Sequence, residues 1–353
     1  MVALTISAND FPENEAMSIS RTTRLTCLAL LATVALPVFA TPPNIDNPIV
    51  LQRADPWIVH DDESGCYWFI GTAAEFDRIE IRHACRLNDL KLAEPKVVWR
   101  MRESGPMSAN IWAPELHRID GAWYIYFAAG DVAKRFSIRM YVLSNPNDDP
   151  MSGEWKEEGQ IETPWDSFSL DATSFEHRGK RYLSWAQMDE DRSYNSALLI
   201  AEMESPTRIK QDVAVISEPL LEWERLGYKV NEGAAVIIRN GKVFMAYSAS
   251  ATDHRYAMGL LWADENADLM DPASWNKLPE PVFTTEKSLG RYGPGHSSFT
   301  VAEDGVTDLL IYHARDYRDL KGTPLTDPNR HARARYLYWD ENGFPDFRPA
   351  EAD

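Results

Sequence analysis

Asp55, Glu115, Asp171, Glu232 and His296 stand at steps of 60, 56, 61 and 64 residues, each at the head of the same phrase. A polar residue opens a β-prone run, a turn follows, and a second β-prone run comes back. Glu232-Gly233-Ala234, for example, leads through residues 235–238 to Asn240-Gly241 and returns over 243–247. Four carboxyls and an imidazole brought together are the groups from which general acid–base catalysis is built. One carboxyl kept protonated donates to a leaving group, while another, ionised, draws a proton from water. Small residues follow two of the acids, Ala172 after Asp171 and Gly233 after Glu232, and leave them accessible. Any one of these acids alone reads as an exposed strand residue; their recurrence makes a site.

The elements that must position them are hairpins. Asn240-Gly241, Asp120-Gly121, Arg178-Gly179 and Asp304-Gly305 each separate two β-prone runs, and a turn over 61–65 does the same in the first unit. Asn-Gly and Asp-Gly between such runs are strong hairpin signals. Five strand-rich units at a near-constant period predict a repeat architecture, all-β, and specifically a five-bladed β-propeller with its site at one end of the central axis. The innermost strand of each blade lines the channel, so residues at the same place in each unit gather near one end. Trp155 is expected between blades. Residues 206–221 read as a connection to the fourth unit, and 333–339 as a last strand that completes the fifth blade or closes the ring against the segment after Asn47.

Residues 1–40 fall outside this pattern. Arg21 and Arg24 precede an apolar run over 25–40 that ends Val38-Phe39-Ala40. This is the pattern of a secretory signal peptide, with Met17 as an alternative start. The propeller is then expected over 41–353, secreted or periplasmic, monomeric and free of the membrane once the signal is cleaved. The formal charge of −18 argues against nucleic acid and polyanionic substrates and suits a neutral one. Twelve Trp and fourteen Tyr supply blade packing and faces on which sugars stack. Cys66 precedes the second strand of unit one and Cys85 ends its third, so folding these antiparallel brings them opposite each other. That predicts a disulfide in an exported protein, the alternative being two buried thiols.

Ala54-Asp55-Pro56, Trp112-Ala113-Pro114-Glu115, Leu170-Asp171-Ala172, Asn231-Glu232-Gly233 and Gly293-Pro294-Gly295-His296, in this order, resemble glycoside hydrolase family 43. The resemblance extends over the chain from Asn47 to about Phe347. It implies a five-bladed propeller with an inverting active site on its axis. Glu75-Phe76-Asp77-Arg78-Ile79-Glu80, with the segment 292–300, is most similar to the exo-acting α-1,5-L-arabinofuranosidase branch. Glu115 stands where many members carry Asp.

Inverting hydrolysis needs a protonated acid on the leaving oxygen and a carboxylate activating water on the opposite face. On this reading Asp55 is the general base and Glu232, one methylene longer, the general acid. Asp171 raises the pKa of the acid by repulsion and orients it. Trp57, Phe76, Arg78, Trp112, Glu115 and His296 are expected to bind substrate; Trp112 could equally pack a strand entry. His296 neutralises the acids, hydrogen-bonds the base, fills the axis, or ligates a structural calcium or sodium ion; no cofactor is required. Loops over 75–78, 131–136, 253–256 and 287–292 are expected to wall the site into a pocket for one chain end of arabinan or an arabino-oligosaccharide. Two other readings remain on sequence grounds: a β-xylosidase or arabinoxylan arabinofuranosidase on the same scaffold, and a non-catalytic sugar-binding propeller.

Overall fold

The computed structural model describes residues 44–347. The signal peptide, the Met17 start and the cleavage after Ala40 lie outside the described residues. Blade one is β1 (Arg53–Asp61), β2 (Cys66–Ala73), β3 (Arg78–Ala84) and β4 (Lys96–Arg100). Blade two is β5 (Pro106–Ile119), β6 (Ala122–Asp131), β7 (Lys134–Asn145) and β8 (Lys156–Gln160). Blade three is β9 (Ser169–His177), β10 (Lys180–Gln187), β11 (Ala197–Ser205) and β12 (Arg208–Ser217). Blade four is β13 (Asn231–Arg239), β14 (Lys242–Ala249), β15 (Ala257–Asp264) and the short β16 (Asn276–Lys277), and blade five is β17 (Tyr292–Val301), β18 (Asp308–Arg315) and β19 (His331–Tyr336). Within each blade the strands pair in chain order. The stretch 206–221, expected as a connection, instead carries the outer strand β12: its alternating Ile209, Val213 and Val215 have an apolar face to bury.

Three hairpin turns follow directly from the sequence. Asp120-Gly121, Arg178-Gly179 and Asn240-Gly241 each place both residues at positive φ. That is the two-residue turn whose twist matches the flanking strands.

The first strands β1, β5, β9, β13 and β17 neighbour one another in cyclic order, β17 returning to β1. Among the described residues the buried apolar side chains form five clusters; four are shared by two adjacent blades, and the one between blades three and four also takes in Ala128 and Ile138 of blade two. Ile70 and Ile81 of blade one meet Phe127 and Trp155 of blade two; Met245 and Leu261 of blade four meet Leu198 and Ile200 of blade three. Each fully buried side chain of this kind contributes roughly 1.5–3 kcal/mol, so the ring is held by its interfaces as much as by its ladders. The last gap is closed from the other end of the chain. The backbones of Val50 and Ala332 exchange hydrogen bonds of 3.4 and 2.9 Å, and the Asn47 amide brackets the backbone of Ala334. The segment at 47–50 thus becomes the missing edge of blade five, and both expectations for the final strand hold together.

Candidate active site

Every first strand carries a register break near the same end. It falls between Ala54 and Trp57 in β1, Trp112 and Glu115 in β5, Glu232 and Ala235 in β13, and Gly295 and Ser298 in β17. In β9 it falls between the residues facing Ser184 and Ala186. Within each break one residue is left-handed: Asp55, Ala113, Asp171, Gly233 and His296, with φ between 44° and 58°. A bulge turns side chains and backbone N–H groups out of the ladder, and here it presents them to the channel. The freed N–H groups are taken up by the preceding blade. Asp55 donates to His313 Nδ1 (3.1 Å), Ala113 to Thr72 Oγ1 (2.7 Å), Gly233 to Asp171 Oδ2 (3.0 Å) and His296 to Ser248 Oγ (2.7 Å).

This corrects the alignment of the repeats. The blade-two residue equivalent to Asp55, Asp171 and His296 is Ala113, not Glu115, and in blade four it is Gly233, with the acid one residue earlier. Glu115 lies beyond the bulge, buried, its Oε2 2.9 Å from His117 Nε2, and does not line the pocket. Burial drives its pKa well above the carboxylate range against an opposing Thr173 hydrogen bond, with repulsion from Asp171 adding to the rise. Burial also pushes His117 down to about 3.

A cavity of about 660 Å³ opens at this end, with Asp55, Asp171, Glu232, His296, Tyr256 and Arg330 in its wall. Asp55 is buried, and burial would raise its pKa; the Arg330 guanidinium at 3.3 Å, the His296 ring and the His313 ring outweigh that and hold it far below the ordinary carboxylate range. Thr72 donates a 2.6 Å hydrogen bond to its Oδ2. Glu232 has the opposite environment. Enclosure in the site pushes it up to about 7; a 2.9 Å hydrogen bond from Tyr256 opposes this, and the Asp55 charge adds to it. Asp171 is also driven up, by burial first and then by Glu232 and Asp55, against the Gly233 N–H and Arg330. Asp171 and Glu232 repel each other, which favours the protonated form of each. His296 Nδ1 lies between the blades' carboxylates, 3.3 Å from Asp55 Oδ1 and 3.8 Å from Asp171 Oδ2. Burial lowers its pKa even so, with Asp55 opposing.

Several expected contacts fall elsewhere. Trp57, beyond its bulge, donates its indole N–H to the Leu116 carbonyl and lines a separate cavity with His117. Arg78 pairs with Glu75, Asp77 and Glu80 at 2.7–2.9 Å and is not in the lining of the cavity. Phe76 packs edge-on against Trp112, ring centres 5.9 Å apart, and supports that ring from outside the pocket lining. Trp112 does line the cavity, with Phe136 from the 131–136 loop. Sequence reasoning missed Arg330, His313 and Thr72, and reached Tyr256 only as the end of the wall loop 253–256. Thr72 and His313 sit on second strands opposite Ala54 and Gly295, so a search along the partner strand would have found them. Arg330 ends the 316–330 connection and carries no local signal. Cys66 and Cys85 are joined in a disulfide that ties β2 to the end of β3.

A carboxylate held ionised and another raised to about 7, facing one cavity at the end of a propeller axis, are the groups of a glycoside hydrolase of the acid–base type. More narrowly, the family model for glycosyl hydrolases family 43 matches residues 45–345, and the chain belongs to that family. It is 50% identical over 335 residues to the extracellular exo-α-(1→5)-L-arabinofuranosidase of Streptomyces avermitilis, covering 93% of this chain and 69% of that one. It is 52% identical over 306 residues to α-L-arabinofuranosidase 43 of Humicola insolens, covering 86% and 63%. The chain therefore spans about two thirds of the length of these relatives. The crystal structure of an α-L-arabinofuranosidase from Lactobacillus brevis superposes with a TM-score of 0.84 at 48% identity, covering 87% of this chain and 97% of that one.

Proposed function

We propose that this protein removes single terminal α-L-arabinofuranosyl units from α-1,5-linked arabinan or arabino-oligosaccharides, with inversion, outside the cell. The observation that carries the mechanism is the opposed ionisation of Asp55 and Glu232 across one pocket. Arg330 and His296 hold Asp55 as a carboxylate able to draw a proton from water. Glu232, kept protonated near neutral pH, meets the glycosidic oxygen from the other side, and Tyr256 fixes the orientation of its carboxyl. Proton donation and water activation are then concerted across the anomeric carbon, so no sugar is bound covalently to the enzyme. Asp171, held by the Gly233 N–H, keeps the acid protonated by repulsion until the proton has left.

Removal of single units is supported by the wall of the pocket. Trp112, Phe136, Tyr228 and the run Thr323-Pro324-Leu325 are among the residues that line it. The substrate follows the named activities of the relatives, and the acidic chain suits a neutral pentose polymer. The protein acts as a monomer in this reading and needs no cofactor. Among the described residues, no helix is long and apolar enough to cross a membrane. A calcium or sodium ion on the axis would take His296 as one ligand and water for the rest. Among the described residues, the one group of three potential ligands that converges is Cys66, His83 and Cys85, whose two sulfurs are bonded to each other. Unchanged melting temperature on adding calcium to ion-stripped protein would remove the ion from this account. Chromatography of the sugars released from linear arabinan, arabinoxylan and xylobiose tests the substrate: arabinose from arabinan supports it, and xylose from xylobiose with nothing from arabinan contradicts it.

A further inference from the structure

The strap 316–330 between β18 and β19 supplies two things to the site: the wall Thr323-Pro324-Leu325 and the guanidinium of Arg330. It has no strand or helix of its own to hold it. It is tied instead to one carboxylate. The Asp327 side chain is 0% exposed and lies 3.6 Å from Arg315 Nε, itself 2% exposed. Its oxygens accept the Tyr317 hydroxyl (2.8 and 2.9 Å), the Lys321 N–H (2.8 Å) and the Asn329 N–H (3.0 Å). Asn329 Nδ2 donates in turn to the Tyr317 hydroxyl at 2.7 Å. Arg315 reaches the Pro324 and Asp327 carbonyls on the strap and the Thr252 carbonyl on blade four. Both limbs of the strap and the end of β18 thus converge on Asp327, far along the chain from the catalytic acids.

We propose that Asp327 is a positioning residue for the hydrolysis, folding the strap so that Arg330 is held against Asp55. The charge balance gives the reason. Arg315 and Arg330 are close enough to repel; burial and Arg330 together bring Arg315 down to about 10. Asp327 is the buried anion that lets two guanidinium groups occupy adjacent places. With it removed, the cation free to leave is Arg330, because Arg315 is enclosed at the end of β18. The proposal rests on the acid–base assignment of Asp55 and acts first on that group, with Arg330 lowering Asp171 and Glu232 more weakly. Around Asp55 the other facing groups are His296, His313 and Thr72, with Asp171, Glu232 and Tyr256 across the pocket. None of these is on the strap.

The sign follows. Arg330 depresses the Asp55 pKa, so withdrawing it raises that pKa and the base is protonated at higher pH. Asp327→Asn should move the acid limb of kcat/KM upward by about one pH unit, the usual effect of losing a cation at this range, and move the alkaline limb upward by less, because Arg330 is the last of the groups acting on Glu232. Tyr317→Phe, which keeps the charge and loses one bond, should shift it the same way by less. Arg330→Gln should shift it as much, and adding Asp327→Asn to Arg330→Gln should shift it no further. Titration of the Asp55 carboxyl by carbon-13 NMR reads the same change without any substrate, so it stands even if the choice of sugar is wrong. Should Asp327→Asn fail to fold, Tyr317→Phe and Arg330→Gln carry the test. An Asp55 titration unmoved in Tyr317→Phe, or additive shifts in the double variant, would overturn the proposal.

Discussion

The Gly233 backbone N–H donates a 3.0 Å hydrogen bond to Asp171 Oδ2, so the bulge that presents the acid Glu232 is fastened to the carboxylate that repels it. One contact fixes position and electrostatics together. The glycine has no alternative at this place: its φ is +58°, and a Cβ would lie 3.0 Å from His296 Cγ and Nδ1.

Gly233→Ala should therefore cost about 1–2 kcal/mol from the left-handed backbone alone, and more from the His296 ring it displaces. Turnover should fall further than stability, because His296 also touches Asp55. Urea melts and steady-state kinetics on the same variant check both. Full turnover in a destabilised variant would separate the bulge from catalysis.

Glu232→Gln should lose roughly 10²–10⁴-fold in kcat, the scale of a general acid, and lose less on a nitrophenyl glycoside whose leaving group needs little protonation. Asp171→Asn removes a negative neighbour. The Glu232 pKa, raised to about 7 in the native site, should fall, and the alkaline limb of the pH–rate profile should move to lower pH. The acid limb, set by Asp55, should stay low because Arg330 remains. An alkaline limb that moves up instead would exclude repulsion as the role of Asp171.

Cys66 and Cys85 close a short loop with a sequence separation of 19. Cross-links over loops of this size stabilise by about 3 kcal/mol in the chain-entropy view. Cys66→Ser should lower the unfolding free energy by about that amount and leave kcat unchanged, because the bridge joins β2 to the end of β3, away from the pocket lining. Intact mass with and without reductant reads the bridge in the exported protein. A two-proton mass gain requiring no reductant would contradict it.

The fold was legible because it repeats. Turn residues such as Asn240-Gly241 specify their own backbone, and each unit restates the same alternation of apolar strands. Asp55, Asp171, Glu232 and His296 were legible for the same reason: a recurring position in a closed ring is a position on the axis. Glu115 misled because spacing counts residues, whereas a bulge shifts the face they point to; two residues past Ala113 the side chain meets His117 instead of the pocket. Trp57 was displaced from the site in the same way, past the break after Ala54. Arg78 has its acidic sequence neighbours Glu75, Asp77 and Glu80 as ion-pair partners, a pairing that the strand β3 sets. Arg330 was invisible because it lies on the 316–330 connection, whose path is set by the buried contact between Asp327 and Arg315 and by no local pattern.

The most direct measurement is proton NMR of the first sugar released from a linear α-1,5-arabino-oligosaccharide, followed from the first seconds, with the product sizes read in parallel. The account predicts free arabinose alone, appearing as the β-furanose and only later mutarotating. The α-anomer appearing first would contradict the opposed roles of Asp55 and Glu232, and an early ladder of shorter oligosaccharides would contradict removal of single terminal units.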